Sequence, residues 1–284
     1  MAELLKGAPV ATAIGEQLAP RIAALTEAGH TPTLAIVRVG EREDDLFYER
    51  GAEKRFAGLE MNVRKFVLPA DCSQEELLDV IAQVNADPAI DGCLMFRPLP
   101  KTLDEEQACE ALDPAKDIDG ITRGSLYGVL AKRPIGFAPC TAEACIEVLD
   151  HYGVELSGTD VTVIGRSLVI GKPVSLMLQN RNATVTMCHT RTKDVPSKTK
   201  AAQVVVVAAG HIGTLTGECV REGQTVIDVG TNWNDEIQKY VGDSVFDEVE
   251  PIVERITPVP GGVGSVTTAV LAKHVVIAAE RATA

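Results

Sequence analysis

The sequence lacks the features that mark secreted, membrane-embedded and zinc-stabilised proteins. No stretch approaches the ~20 consecutive apolar residues of a membrane-spanning helix, and the opening MAELLKG has no basic segment followed by an apolar one. The seven cysteines are scattered without a CxxC or CxxH pair, which argues against a disulfide framework and against structural zinc. We therefore expect a soluble, cytoplasmic protein with buried thiols, no bound metal and no membrane contact.

Positive charge is also scarce. The chain has 27 Lys and Arg against 40 Asp and Glu, a formal net charge of -13. Nucleic acid is not expected as a partner, because phosphate backbones select basic surfaces. An anionic ligand would have to be held locally, by backbone N–H groups and a few placed cations.

Short β-branched runs alternate with helical stretches over almost all of the 284 residues. This alternation predicts a doubly wound α/β architecture, in which ligands bind at the carboxyl ends of the strands. The predicted strands are 33–39, 62–68, 92–96, 160–164, 183–187, 204–208 and 225–229. The predicted helices are 45–59, 73–85, 141–152, 172–180 and 267–281.

A glycine loop, GRSLVIGKP (residues 165–173), follows the strand 160–164 directly. A glycine turn between a strand and a helix places backbone N–H groups and the positive helix end beside a phosphate. Pro173 suits the first helical turn, where a missing N–H costs nothing. The loop departs from GxGxxG, so a plain tight turn between strand and helix remains the alternative interpretation.

The residues after the next strand favour NADP over NAD. NAD-selective sites place a carboxylate there to hold the ribose diol, whereas this chain has CHTRTK (residues 188–193) and no carboxylate until Asp194. A guanidinium with a hydroxyl suits a 2'-phosphate, and Arg166 and Thr190 supply the pair. His189 either contacts the cofactor or is structural, and we interpret Lys172 and Lys193 as solvated.

Two further segments contain glycine where a ligand could approach the backbone. One is DVGTN (residues 228–232), another strand end that brings glycine and polar groups to the same sheet edge. The other, TPVPGGVG (residues 257–264), combines fixed prolines with glycines that allow close backbone approach to a flat ligand, just before the last predicted helix. A stiff loop with Ser265 or Thr267 as helix N-cap is the plainer interpretation of the second segment.

Taken together, KDIDG (residues 116–120), the glycine loop, the DVG of residues 228–230 and TPVPGGVG resemble the methylenetetrahydrofolate dehydrogenase/cyclohydrolase family, in order and at family-like intervals, from about residue 5 onward. The resemblance implies a folate domain over residues 1–138, on which a C-terminal helix (residues 265–284) packs back. It also implies a Rossmann-like NADP domain over residues 139–264, a cleft between the two, and a homodimer formed through the nucleotide domain.

The resemblance also implies the ligands and the residues that hold them. A hydride passes from 5,10-methylenetetrahydrofolate to NADP, and water then opens the methenyl cation to 10-formyltetrahydrofolate. Tyr48 is expected to stack on the folate ring, and Asp119 to hydrogen-bond the pterin, as the two catalytic candidates. The other expected substrate contacts are Pro98, Leu99, Gly261, Gly262 and Thr267. The expected cofactor contacts are Gly165, Arg166, Ser167, Gly171, Pro173, His189, Thr190, Gly230 and Thr231.

Two departures from the family pattern belong to the hydrolytic step, and a third is Ser265, where the family usually has proline. The family's Tyr-x-x-x-Lys reads Tyr48 to Ala52 here, and the glutamine of Gln-Leu-Pro-Leu-Pro is Phe96. Lys54 lies about 200° round a helix from Ala52 and should point elsewhere. Arg97 is on the correct loop but stays protonated, so it cannot act as a general base.

The sequence therefore predicts an NADP-dependent methylenetetrahydrofolate dehydrogenase with weak or absent cyclohydrolase activity. Two alternatives stay open: a fully bifunctional enzyme with rearranged groups, and a non-catalytic folate- or nucleotide-binding paralogue. Hydride transfer depends mainly on positioning two rings, whereas hydrolysis needs an activated water and a group that manages protons.

Overall fold

A computed structural model describes residues 1–283 of the chain. Its strands are β1 (Glu3–Leu4), β2 (Thr33–Val39), β3 (Asn62–Leu68), β4 (Gly92–Met95), β5 (Asp160–Ile164), β6 (Thr184–Cys188), β7 (Val204–Val207), β8 (Thr225–Asp228), β9 (Asn232–Asn234), β10 (Lys239–Val241) and β11 (Arg255–Ile256). Its helices are α1 (Gly7–Glu27), α2 (Glu43–Gly58), α3 (Gln74–Ala86), α4 (Glu105–Ala111), α5 (Arg123–Ala131), α6 (Cys140–His151), α7 (Gly171–Asn180), α8 (Val195–Ala201), α9 (Phe246–Val249) and α10 (Gly264–Thr283). None of these helices is both long and apolar enough to span a bilayer.

The chain divides into two compact units. The large-sheet unit contains residues 1–12 and 141–267, and the small-sheet unit contains residues 13–140 and the chain from Thr268 onward. Residues 1–12 were expected in the folate domain with the rest of residues 1–138. They group with the large sheet instead, because β1 pairs in parallel with β11.

The large-sheet unit is a parallel six-stranded sheet in the order β1-β11-β8-β7-β5-β6. The four valines of β7 are all buried, as expected of a strand covered on both faces. From β5 the chain moves outward to β6 and then crosses back to β7 on the other side of β5. Connections therefore leave β5 and β7 in opposite directions, and their carboxyl ends form the switch point at which doubly wound sheets bind ligands.

The small-sheet unit is a parallel three-stranded sheet in the order β3-β2-β4. All seven residues of β2 are buried because it is the central strand. Helix α3 packs against this sheet through Leu77, Ile81 and Val84. The helix begins with the predicted capping box, in which Ser73 and Glu76 satisfy each other's backbone N–H groups.

The α/β class predicted from the sequence is confirmed, with parallel sheets in both units. The strands 33–39, 62–68 and 160–164 have the predicted bounds. The last helix begins at Gly264 rather than near residue 267, and its predicted end at residue 284 lies outside the described residues. The predicted N-cap is wrong, because the Ser265 and Thr267 hydroxyls donate back to the carbonyls of Gly262 and Val263.

Candidate active-site residues

The glycine loop lies at the switch point of the large sheet, where both of its glycines are sterically required. Gly165 has φ +130°, and a Cβ there would collide with the carbonyl oxygen of Ala208 at the end of β7. A Cβ on Gly171 would collide with the carbonyl of Gly165. The loop can therefore lie this close to its neighbours only with glycine at both positions.

Ser167 organises the start of α7. Its Oγ accepts hydrogen bonds from the N–H groups of Ile170 (3.1 Å) and Gly171 (3.4 Å), and its carbonyl accepts from Lys172 N–H (3.0 Å). Pro173 is buried in the first turn and has no N–H to satisfy, as predicted. The N–H groups of Ile170, Gly171 and Lys172 are thus engaged within the loop, whereas residues 166–169 are exposed.

The end of β6 offers no carboxylate to a ribose. The first acidic residue, Asp194, caps α8 by accepting from Ser197 N–H at 3.2 Å, and the Ser197 hydrogen bonds lower the pKa of Asp194. His189 is half-buried, and its Nδ1 accepts from Arg191 N–H at 3.2 Å, so one ring nitrogen serves the local turn. Arg166 and Thr190 are exposed.

Two buried carboxylates, those of Asp228 and Asp243, lie at the end of β8. Asp228 accepts from the N–H groups of Gly230 (3.0 Å), Asp243 (3.0 Å) and Ser244 (2.8 Å), while burial raises its pKa. Gly230 is buried, and a Cβ there would collide with the carboxylate of Asp243. Thr231 is exposed immediately after it.

In the small-sheet unit, Tyr48 on α2 is half-buried beside Phe96. The ring centroids are 5.9 Å apart with an interplanar angle of 82°, an edge-to-face contact. Burial, followed by the nearby charges of Asp119 and Cys140, raises the pKa of Tyr48 well above its usual range. Ala52 lies one helical turn after Tyr48 on the same face of α2 and is fully buried. Lys54 is exposed, in agreement with the prediction that it points away from Ala52.

The loop carrying Pro98 and Leu99 is held from two sides. Arg42 donates to the carbonyl of Pro98 at 2.9 Å, and the N–H of Leu99 donates to the carboxylate of Glu105 at 2.8 Å. Glu105 also lies 3.7 Å from the guanidinium of Arg97.

The charged residues of the KDIDG segment have different roles. Lys116 donates to two backbone carbonyls, and the fully buried Asp117 accepts from the N–H groups of Ile121 and Thr122, so both are structural. Asp119 is half-buried and accepts from Cys140 N–H at 3.4 Å. Burial and then Asp117 raise the pKa of Asp119, against a lowering by Arg97.

The TPVPGGVG segment packs on the start of α1 within the large-sheet unit. The N–H of Gly7 donates to the carbonyl of Gly261 at 2.8 Å, and a side chain on Gly7 would collide with the carbonyl of Gly262. Gly261 is exposed with φ +99°, a conformation suited to glycine. Thr267 is buried in α10.

The structure brings the cofactor candidates together at one sheet edge, on the loops that follow β5, β6 and β8. It also brings Tyr48, Phe96 and Asp119 together in the small-sheet unit, while Gly261, Gly262 and Thr267 belong to the large-sheet unit. Cys140, expected from the sequence only to be a buried thiol, donates its N–H to Asp119. Asp243 is not predicted from the sequence, where its only signal is an acidic residue among apolar neighbours after a glycine.

A parallel sheet with a glycine loop at its switch point, next in the chain to a second α/β unit, defines a two-unit dinucleotide-binding class. Family models settle the affiliation within that class. Residues 5–119 match the catalytic domain of tetrahydrofolate dehydrogenase/cyclohydrolase, and residues 139–283 match its NAD(P)-binding domain. The chain belongs to this family, as the sequence motifs predicted, and the predicted cofactor agrees with the NAD(P)-binding domain.

Individual relatives match over almost the whole chain. A bifunctional protein FolD of Carboxydothermus hydrogenoformans is 49% identical over 281 residues, covering 99% of this chain and 98% of the relative. The crystal structure of the FolD dehydrogenase/cyclohydrolase from Campylobacter jejuni is 33% identical with TM-score 0.95, covering 99% of both chains. The Trypanosoma brucei FolD, crystallised with NADP and an inhibitor, is 34% identical with TM-score 0.92, covering 99% of this chain and 98% of that one.

Proposed function

We propose that this protein oxidises 5,10-methylenetetrahydrofolate to 5,10-methenyltetrahydrofolate with NADP, and that its cyclohydrolase step is weak or lost. One observation carries the proposal. The positions of the family's lysine and glutamine hold Ala52, fully buried, and Phe96, whose ring packs on Tyr48.

The groups needed for hydride transfer are retained. NADP supplies the hydride acceptor, and the protein's task is to hold the two rings in register. The raised pKa of Tyr48 keeps its phenol neutral, so it serves as a stacking surface and a hydrogen-bond donor. Asp119 is the acceptor for the pterin's N–H donors.

The residues at positions 52, 96 and 97 do not supply the proton-transferring group that hydrolysis requires. Opening the methenyl ring requires a group that takes and returns a proton near neutral pH. Ala52 and Phe96 carry no ionisable group, and Arg97 stays protonated. Lys54 is exposed on another face of α2, so it cannot replace a lysine at position 52 without distortion of the helix.

Two features support NADP over NAD. Arg166 is exposed in the glycine loop and forms no ion pair among residues 1–283, which leaves its guanidinium available to a 2'-phosphate. Asp194 is the first carboxylate after β6, and it caps α8 by accepting a hydrogen bond from Ser197 N–H instead of facing a ribose.

A fully bifunctional enzyme is the second candidate, and the relative from C. hydrogenoformans supports it through its name and 49% identity. In that case another group of this chain would manage the proton. Binding of both ligands without any hydride transfer would instead identify a non-catalytic paralogue.

The test is a paired assay on the purified protein. NADPH and methenyl formation from methylenetetrahydrofolate are followed first, and then the decay of added methenyltetrahydrofolate against the enzyme-free rate. We expect clear NADPH formation and methenyl decay close to the enzyme-free rate. Enzymatic decay as fast as hydride transfer would reject the claim of lost hydrolysis, and ligand binding without NADPH formation would reject the dehydrogenase.

Variants link the result to the two positions. Ala52→Lys should restore some hydrolysis, and Ala52→Lys with Phe96→Gln should restore more, because Phe96 leaves little space and no hydrogen-bond partner for a buried ammonium. Acid–base catalysis contributes about 10²–10⁴-fold, so a gain of at least about ten-fold is expected for the double variant. Ala57→Lys adds the same charge at an exposed position of α2 and should restore none.

A further inference from the structure

Asp243 is a fully buried carboxylate that accepts hydrogen bonds from three consecutive backbone N–H groups. Its Oδ2 accepts from Ala209 (2.6 Å) and Gly210 (2.9 Å), and its Oδ1 accepts from His211 (3.0 Å). The side-chain amide of Asn232 completes the set at 2.9 Å. No Lys, Arg or His of residues 1–283 forms an ion pair with it, so backbone and amide dipoles alone stabilise the charge.

The loop held by this carboxylate is itself on the surface. Residues 209–213 follow β7 and are all exposed, whereas the group that orders them has no exposure. Because their N–H groups turn inward to Asp243, residues 209–211 have none left for a phosphate. The His211 carbonyl accepts from the Thr214 hydroxyl at 2.7 Å. Within residues 1–283 no hydrogen bond reaches the carbonyls of Ala209 and Gly210, so these carbonyls and the exposed His211 side chain are the polar groups that residues 209–211 offer to a ligand. The carbonyls suit hydroxyl or amide donors.

The sheet order assigns this loop to one half of a dinucleotide. The residues suited to a 2'-phosphate, Arg166 and Thr190, lie after β5 and β6, so the adenosine half belongs on that side of the switch point. The loop after β5 would then hold the pyrophosphate, at the point where Gly165 comes close to the end of β7. The remaining half of the cofactor extends over β7 and β8, where residues 209–213 lie.

We propose that Asp243 is a positioning residue for the nicotinamide half of the cofactor. It fixes the backbone of the loop after β7, whose carbonyls then accept hydrogen bonds from the ribose hydroxyls or the carboxamide of the nicotinamide nucleoside. This inference rests on the proposed use of NADP. The inference also implies that Asp243 does not affect binding of the adenosine half, because the loops after β5 and β6 bind that half.

The difference between the two halves provides the test. Asp243→Asn keeps the size of the side chain but replaces one acceptor oxygen with an NH₂ that faces N–H donors. Dissociation constants are measured by titration calorimetry for NADP and for adenosine 2',5'-bisphosphate, which represents the adenosine half alone. We expect Asp243→Asn to weaken NADP binding about ten-fold, the scale of a lost hydrogen bond to a charged group. Binding of the bisphosphate should change less than about two-fold.

Two further variants serve as controls for Asp243→Asn. Asp91→Asn alters a buried carboxylate of the small-sheet unit that accepts from Thr33 N–H at 2.8 Å and pairs with His30 at 2.7 Å, so it should lower stability without moving either constant. Asn232→Ala removes one donor to Asp243 without touching the backbone contacts. It should weaken NADP binding less than Asp243→Asn does and leave the dissociation constant of the bisphosphate unchanged. If Asp243→Asn fails to fold, Asn232→Ala still tests the inference.

The outcomes separate this inference from the function on which it rests. Equal weakening of both probes, or no weakening of NADP, would overturn the positioning role while leaving the proposed cofactor intact. A native protein that binds neither probe would overturn the proposed cofactor and this inference together.

Discussion

At the scale of single residues, identical side chains have different roles because of their surroundings. Asp117 and Asp119 are two positions apart. The carboxylate of Asp117 accepts hydrogen bonds from N–H groups of the following turn, whereas Asp119 is half-buried and has a raised pKa. The groups that face Asp119 are Asp117, Arg97, Cys140 and Tyr48. Of these, Arg97 is the only permanent cation, and it lowers the pKa of Asp119.

This balance predicts a pH dependence. If ionised Asp119 accepts hydrogen bonds from the pterin, kcat/KM for methylenetetrahydrofolate falls as the pH drops through its raised pKa, above the range of an ordinary aspartate. Arg97→Leu removes the charge that lowers this pKa, so the acid limb should move to higher pH. Arg97→Lys should retain most of the native profile. The measurement is kcat/KM over about pH 5 to 8.

Lys101→Leu is the matched control, because it removes an exposed cation close to the same loop. It should leave the acid limb in place, since a solvated charge is screened. An unchanged limb in Arg97→Leu would show that Arg97 does not set the ionisation of Asp119.

The proposed preference for NADP over NAD can be tested at Arg166. Arg166→Gln removes the guanidinium assigned to the 2'-phosphate, so KM for NADP should rise at least about ten-fold, the scale of a charge-assisted hydrogen bond. KM for NAD should change little. Lys172→Gln removes a nearby exposed cation and should alter neither value by much. If both KM values rise equally in Arg166→Gln, the residue has no part in discriminating the two cofactors.

At the scale of elements, the turn from β5 to α7 depends on close approach of backbone atoms. Gly165→Ala places a Cβ against the Ala208 carbonyl at φ +130°, so we expect a loss of several kcal/mol in unfolding free energy and a marked loss of NADP affinity. Denaturant unfolding and NADP titration check both effects. Gly158→Ala is the control for backbone strain alone, since Gly158 has φ +74° with open space around it and should cost about 1 kcal/mol. Similar costs for the two variants would rule out the steric contact as the cause.

Elements with a strong local pattern were predictable, and those defined by distant partners were not. The β-branched runs that form β2, β3 and β5 consist of consecutive residues, and these strands have the predicted bounds. The capping box of α3 was also predicted, because its two residues are close in the sequence. Strand β1 has two residues and exists because β11 lies beside it. The start of α10 was misplaced because hydroxyls that resemble N-caps in the sequence bond to preceding carbonyls instead.

At the scale of the whole molecule, the chain carries a formal net charge of -13 and yet belongs to a family that binds an anionic dinucleotide. The cations proposed to bind ligands are few and local, so the overall charge of the chain does not oppose a proposed site built around Arg166. The homodimer, the cytoplasmic location and the domain boundary at residues 138 and 139 stay predictions.

The sequence by itself determined the alternation of strands and helices, the glycine loop and the family. These are properties of residue order, which local propensity and motif spacing express directly. Only the tertiary structure decided which polar groups are engaged within the protein. It assigned Asp117, Asp194 and the N–H groups at the start of α7 to internal hydrogen bonds. It also left Arg166 exposed and Asp119 half-buried, and it bonded Asp243 to the loop after β7. Those roles depend on partners remote in the sequence or on local backbone geometry, and neither is encoded at the residue itself.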